Sequence, residues 1–185
     1  MNALLDTSLF DQALLFAAKA HSGTERRGKG LPYIIHPMEA ATIVATITND
    51  PEMLAAALLH DTVEDTDVTF EDIRSRFGER VAHLVQCDTS SKQLDWRTKR
   101  TSQVARLAAA DLDAKIVAMG DKLSNLRAIA ADYALLGDSL WSRFHAPQGK
   151  TDIVWYYHAL AEALSDLKDT AAYQEFTSLL EVISK

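Results

Sequence analysis

Cysteine occurs once in the 185 residues, at Cys87. A single thiol excludes an internal disulfide framework and any multi-cysteine zinc site, and it leaves Cys87 as a small, half-buried apolar residue. Glycine and proline are sparse, at seven and four. Ala and Leu abound while alternating runs of Val, Ile and Thr are scarce, which favours helices over strands. Basic residues are outnumbered by acidic ones, 19 to 26, for a formal net charge of −7. That balance argues against duplex nucleic acid as a partner, because such binding uses many cations to neutralise phosphates. A small anionic ligand needs only a local basic patch. No segment approaches the roughly 20 apolar residues that cross a bilayer, so no membrane partner is expected. Asp6 and Asp11 interrupt the apolar N-terminal stretch, which has no basic leader or small-residue cleavage site. It does not read as a signal peptide, and the expected location is cytoplasmic. Nothing in the sequence marks an oligomeric state.

What is present is a series of helix starts, with polar caps and first-turn prolines just before apolar periodic stretches. Leu9, Ala13, Leu14, Phe16, Ala17 and Ala20 form one face of a first helix. Residues 21–35 hold Gly23, Gly28 and Gly30 with Arg26, Arg27 and Lys29, and read as a basic, flexible loop. Pro37 stands where a first helical residue belongs, with His36 at the cap. Asp50-Pro51 repeats the device for a third helix running to about Glu64. Thr69 to Asp72 resembles a capping box, and its short helix should end at Gly78. Further helices are expected over about 80–88 and 96–110, over a stretch capped by Asp111 or Asp113 that includes 116–129, and over about 152–167 and 170–183, with a looser segment over 137–150. No repeat, low-complexity tract or linker interrupts them. The expectation is one all-α domain, a helical bundle spanning residues 1–185.

The stretch "AALLHDTVEDT" (56–66) combines an apolar helical run with His60, Asp61, Glu64 and Asp65. On a helix these four project from one side of the last turns, and His60 and Asp61 offer a nitrogen and an oxygen donor to one metal ion. An adjacent His-Asp is weak evidence by itself, since a solvated acidic helix end looks the same. Two further features add to it. His36 stands at another helix start, after the basic loop. Asp121 lies in the otherwise apolar stretch 116–129, where an unpaired carboxylate is costly unless bonded or metal-bound, and Asn125 follows one turn later on the same face. Two histidines and two aspartates from three helices make a candidate single-ion site.

"RGKGLPYIIHP" (27–37), "ALLHDTVEDT" (57–66) and "GDKLSNLRAI" (120–129) resemble, in order and spacing, the HD-domain alarmone hydrolases of the RelA/SpoT type. The resemblance spans roughly residues 9–165, with no further domain, as in the small single-domain alarmone hydrolases. It implies that His36, His60, Asp61 and Asp121 bind one divalent ion per chain, commonly Mn²⁺. It further implies that Glu64 and Asp65 are the catalytic carboxylates and that Arg27 and Asn125 contact a nucleotide substrate. Such an ion can polarise a phosphoryl oxygen and lower the pKa of a water, while Glu64 or Asp65 positions or deprotonates that water. Arg26, Arg27 and Lys29, in a loop whose glycines permit close approach, would neutralise a pyrophosphate. The implied reaction removes the 3′-pyrophosphate from (p)ppGpp, giving GDP or GTP and pyrophosphate. No synthetase domain is expected beside these motifs.

Some positions depart from the family pattern. Ser124 replaces a histidine found in many bifunctional relatives, which bears on nucleotide contacts and not on the metal. "QCDTSSK" (86–92) matches a family turn imperfectly and leaves Lys92 without an assigned role. "LWSRFHAPQGK" (140–150) offers Trp141 and Lys150 as residues that close the pocket on substrate. Trp96, Arg97, Lys99 and Arg100 form a second basic cluster, for which a solvated helix face is the simpler reading. His21, His83, His145 and His158 read as surface or packed histidines. Two rival functions stand beside alarmone hydrolysis. One is the same metal site acting on another nucleotide, such as pppApp or the phosphate of NADPH. The other is a non-catalytic nucleotide sensor, against which stands the intact set His36, His60, Asp61, Glu64, Asp65 and Asp121.

Overall fold

The structure is a computed structural model that describes residues 6–26, 28–88 and 95–185. It is all-α apart from one two-stranded antiparallel ribbon. In chain order come α1 (Ser8–Ala20), β1 (Glu25–Arg26), β2 (Leu31–Pro32), α2 (Ile35–Val44), α3 (Pro51–Leu59), α4 (Thr62–Asp65), α5 (Phe70–Phe77) and α6 (Glu79–Asp88). They are followed by α7 (Trp96–Ala109), α8 (Leu112–Leu136), a 3-10 helix (Gly137–Arg143), α9 (Lys150–Ala163), a second 3-10 turn (Ser165–Leu167) and α10 (Ala171–Ser184).

Local chemistry sets most of the helix starts. The Asp50 carboxylate accepts from the Glu52 and Met53 backbone N–H groups while Pro51 occupies the first turn of α3, satisfying donors that a helix start leaves without partners. Thr69 and Asp72 close a reciprocal capping box on α5, which ends at Gly78 with φ of +90°. Asp95, Asp111 and Thr170 cap α7, α8 and α10 by accepting from the backbone N–H three residues on, with no reciprocal bond.

Helix α8 is the axis of the fold and packs against α2, α3, α6 and α10. Every residue from Ala114 to Ser124 is buried, so this stretch has no solvent face. The apolar residues of α8, Met119, Leu123 and Leu126 among them, join a core that extends from Ala13 on α1 to Ile183 on α10. Full burial of each such Leu or Met is worth about 1.5–3 kcal/mol relative to exposure. Its polar members are paired: Lys115 Nζ reaches Asp166 Oδ2 at 2.5 Å, and Asp121, Lys122 and Ser124 belong to the site described below. At Gly120 the backbones of α2 and α8 nearly touch. A Cβ there would lie 2.6 Å from the Ala40 carbonyl oxygen and 2.8 Å from a Val44 methyl.

Three local expectations need correction. Residues 21–35 are not simply a loop, because Glu25 pairs with Pro32 and Arg26 with Leu31. The N-cap of α2 is Ile34, so His36 lies inside the first turn, where its side chain faces the core instead of capping. The third helix does not run to Glu64: α3 stops at Leu59 and α4 restarts at Thr62. His60 Nδ1 donates to the Ala57 carbonyl at 2.8 Å and Thr62 Oγ1 to the Leu59 carbonyl at 2.7 Å. These side chains satisfy carbonyls that the interrupted helix leaves open.

Asp50 also accepts from Arg80. Partial burial opposes its charge, but Arg80 and the Met53 and Glu52 N–H groups together hold its pKa below the ordinary 3.8. A depressed carboxyl pKa contributes stability that is complete above the ordinary value and lost as the pH falls through the folded one. Asp50→Ala should therefore cost about 0.5–2 kcal/mol at neutral pH, with the deficit shrinking toward pH 2 in urea unfolding series. Gly120→Val should destabilise by about 1–3 kcal/mol through overpacking, read as a lower thermal midpoint.

Candidate metal centre and active site

Three elements bring the principal donors together: the first turn of α2 carries His36, the break between α3 and α4 carries His60 and Asp61, and the middle of α8 carries Asp121. Successive residues on a continuous helix point about 100° apart. The break lets His60 and Asp61 converge instead, with His60 Nε2 at 2.9 Å from Asp61 Oδ2. His36 Nε2 lies 3.2 Å from His60 Nε2, 3.1 Å from Asp121 Oδ1 and 3.4 Å from Asp61 Oδ2. Among the described residues, His36, His60 and Asp121 form a group whose ligand atoms all lie within 4.8 Å of one another. Both imidazoles and Asp121 are buried, whereas Asp61 is half-buried.

Proton placement makes this group electron-rich. The Ala57 carbonyl can only accept, so His60 Nδ1 carries a proton and Nε2 turns a lone pair to the cluster when the ring is neutral. His36 Nδ1 meets Ser124 Oγ at 2.8 Å, which leaves its Nε2 facing the same point. Burial works against a charged His60, yet Asp61 and Asp121 raise its pKa well above the ordinary value. Burial likewise opposes the Asp61 charge, which the adjacent His60 and His36 nevertheless hold well below the usual carboxylate range. Against the same burial, Lys122 and both imidazoles do so for Asp121. Two imidazole nitrogens and the Asp121 carboxylate converge, with Asp61 at the edge against both imidazoles, and such mixed nitrogen and oxygen donors suit a divalent cation of intermediate hardness. Lys122 Nζ holds Asp121 Oδ2, and Asn125 Nδ2 donates to Oδ1 at 2.5 Å. The carboxylate orientation is thereby set, with Oδ1 toward the imidazoles.

The paired carboxylates Glu64 and Asp65 lie on α4, directly after this cluster. Tyr33 Oη is 2.6 Å from Asp61 Oδ2 and 3.1 Å from Asp65 Oδ2, so one phenol bridges a candidate ligand and a candidate base. Desolvation and then the Asp61 charge push the Asp65 pKa up, against the Tyr33 hydrogen bond. Glu64 Oε1 accepts from Lys99 Nζ at 3.2 Å. The basic cluster on α7 is thus more than a solvated face. Its Arg97 stacks over Trp155 at 3.3 Å from the ring centroid and pairs with Asp152.

The other sequence candidates lie in several places. Asn125 is at the cluster itself. Lys29 is ion-paired with Asp132 near the end of α8, where Arg143 Nη1 also approaches, at 3.8 Å. Asp121, Asn125 and Asp132 fall on one stripe of α8, because offsets of four and eleven residues return to nearly the same face; the stripe spans about 16 Å. Lys150 donates to Tyr133 Oη at 3.0 Å, and Trp141 packs on the Tyr133 ring and donates its indole N–H to Asp138. Trp141 is buried. Arg26 is half-buried in β1, and Arg27 and Lys92 lie outside the described residues. Ser124 needs correcting: it is fully buried and bonded to His36, so it bears on the metal cluster and not on nucleotide contacts. Tyr33 was missed by sequence reasoning, although its place in "PYIIHP", three residues before His36, was a usable signal.

Residues 13–149 match the HD domain family. The chain belongs to the HD-domain family. A zebrafish relative, the guanosine-3′,5′-bis(diphosphate) 3′-pyrophosphohydrolase MESH1 of Danio rerio, is 42% identical over 125 residues, covering 65% of this chain and 69% of that protein. The guanosine-3′,5′-bis(diphosphate) 3′-pyrophosphohydrolase of Aquifex aeolicus is 39% identical over 121 residues, or 64% of this chain, but the match spans only 17% of that longer protein. Among solved structures, one described as a metazoan ortholog of SpoT that hydrolyzes ppGpp superposes with a TM-score of 0.81, at 27% identity and 97% coverage of both chains. A Listeria monocytogenes structure gives a TM-score of 0.74 at 30% identity, covering 81% of this chain and 99% of that one.

In this HD-domain chain the convergent donors should make stability depend on a cation. Adding a divalent metal to stripped protein at about 100 times its Kd should stabilise the fold by about 2.7 kcal/mol, read as a rise in thermal midpoint. Asp121→Ala should abolish that rise.

Proposed function

We propose that this chain is a metal-dependent hydrolase that removes the 3′-pyrophosphate from (p)ppGpp. The observation that carries the reading is the convergence of His36, His60 and Asp121, with Asp61 against both imidazoles and linked through Tyr33 to Asp65 of the carboxylate pair Glu64 and Asp65. The names of the zebrafish and Aquifex relatives supply the substrate. In this proposal the whole chain acts as one HD-type domain, works in the cytoplasm and binds one Mn²⁺ through His36, His60, Asp61 and Asp121. A divalent ion so held supplies Lewis-acid polarisation of a phosphoryl oxygen and a more acidic water.

The remaining work falls to side chains of this chain. Glu64 and Asp65 orient the attacking water and take its proton, and the raised pKa of Asp65 suits it to that exchange. As water adds to phosphorus, the bond between phosphorus and the ribose 3′-oxygen breaks and that oxygen takes up a proton. The products are GDP or GTP and pyrophosphate. Tyr33 keeps Asp65 aligned with Asp61, and Lys99 holds Glu64. Arg26, Arg27, Lys29, Asn125, Trp141 and Lys150 are the proposed substrate contacts. Lys29 would have to leave Asp132 to take a phosphate, so Asp132 competes with substrate for it.

The experiment is product release from ppGpp, pppGpp, pppApp and NADPH by metal-stripped protein, with and without Mn²⁺. Mn²⁺-dependent pyrophosphate release from the first two is expected; turnover of pppApp or NADPH alone would keep the site and change the substrate. Nucleotide binding without any turnover would replace the enzyme by a sensor. Glu64→Gln should bind Mn²⁺ nearly as the wild type does while turnover falls about 10²–10⁴-fold, and near-normal hydrolysis by that variant would remove Glu64 from the mechanism.

A further inference from the structure

Behind His36 runs a chain of hydrogen bonds that no part of the reaction uses. His36 Nδ1 meets Ser124 Oγ at 2.8 Å, and Ser124 Oγ donates to Glu39 Oε2 at 2.7 Å. Arg127 Nη1 donates to Glu39 Oε1 at 3.2 Å, and the same guanidinium holds Glu175 in a bidentate pair at 2.6 and 2.7 Å. His36 and Glu39 are three residues apart on α2, and Ser124 and Arg127 are three apart on α8, so each pair shares a helix face. Glu175 lies on α10, beyond the residues 13–149 that match the HD domain.

The donors in this chain can be counted. A carboxylate only accepts, and a serine hydroxyl has one proton. Since Glu39 takes the Ser124 proton, Ser124 Oγ must accept from His36, so Nδ1 carries the hydrogen and Nε2 keeps its lone pair. That tautomer turns the lone pair toward His60, Asp61 and Asp121. Ser124 is fully buried and the His36 side chain nearly so, and water is therefore poorly placed to substitute for the hydroxyl. Without Glu39 the hydroxyl could turn and donate to Nδ1 instead, which would put the proton on Nε2 and block the face turned to the cation.

We propose that Ser124 and Glu39 are positioning residues that fix the tautomer and orientation of His36, and that Arg127 and Glu175 anchor this relay to the C-terminal helix, so that cation affinity depends on residues outside the donor cluster. The inference rests on the metal reading given above. Partners behind a ligating imidazole typically account for about 10- to 100-fold in metal affinity.

The test is Mn²⁺ affinity of the 185-residue chain, measured by calorimetry on metal-stripped wild type, Ser124→Ala, Glu39→Gln and Ser178→Ala. Ser178 is an exposed α10 residue whose hydroxyl bonds only locally to the Gln174 carbonyl. Ser124→Ala is expected to weaken Mn²⁺ binding about 10- to 100-fold, with Ser178→Ala unchanged. Ring ¹⁵N shifts of His36 in the metal-free protein at high pH should show a protonated Nδ1 in the wild type and a tautomer mixture in Ser124→Ala. Should Ser124→Ala fail to fold, Glu39→Gln, altered at a half-buried position, carries the same expectation. Affinities of both variants within twofold of wild type, with unaltered His36 shifts, would overturn the relay. Failure of the wild type to take up Mn²⁺ would overturn it together with the metal reading. Uptake by the wild type with no nucleotide turned over would sink the proposed function and leave the relay standing.

Discussion

The close approach of α2 and α8 at Gly120 is the constraint on which the site depends. With no side chain at 120, the Ala40 carbonyl can sit where a Cβ would otherwise be. His36 lies one turn before Ala40 on α2, and Asp121 directly follows Gly120 on α8, so the contact that sets the helix separation also sets the 3.1 Å between His36 Nε2 and Asp121 Oδ1. The same proximity lets Ser124 and Arg127 reach Glu39. Packing and chemistry are here one geometric fact, because protein interiors yield little to added volume.

A second tension follows from the first. Burying two imidazoles and a carboxylate with a second carboxylate at their edge is costly unless the charges are matched. The fold matches them in part with its own groups: Lys122 and Asn125 on Asp121, Tyr33 on Asp61, and a backbone carbonyl behind His60. Lys122 and the Ala57 carbonyl attach to the side of a donor away from the point of convergence, whereas Asn125 and Tyr33 share the oxygens that face the imidazoles. What remains is a concentration of electron pairs that a cation relieves more completely than a proton on His60 can, since one proton serves one nitrogen.

Much of the fold was legible because its signals are local. Asp50-Pro51 and Thr69 with Asp72 could be read directly, and the cap of α8 was narrowed to Asp111 or Asp113, since a cap is an interaction between residues two or three apart. The all-α class followed from composition and periodicity for the same reason. The break at His60 was not legible. "AALLHDTVEDT" has unbroken helical character in its residue types, and the interruption rests on side chains bonding back to the Ala57 and Leu59 carbonyls in a buried setting. The paired strands around Gly28 and Gly30 were hidden among loop-forming residues, and α2 begins at Ile35, before His36.

The site divides in the same way. The sequence by itself determined which groups were available: the residue types at 36, 60, 61, 64, 65 and 121, and three motifs whose order and spacing resemble one family. Tertiary structure alone decided which atoms of those groups meet. It turned Lys29 to Asp132, joined Lys99 to Glu64, put Tyr33 between Asp61 and Asp65, and moved Ser124 from the substrate side to the back of His36. The reason is physical. Residue type and spacing fix donors, acceptors and helix faces, which are properties of a short stretch of chain, whereas the direction of a buried side chain is settled by partners up to a hundred residues away, as Asp132 is from Lys29.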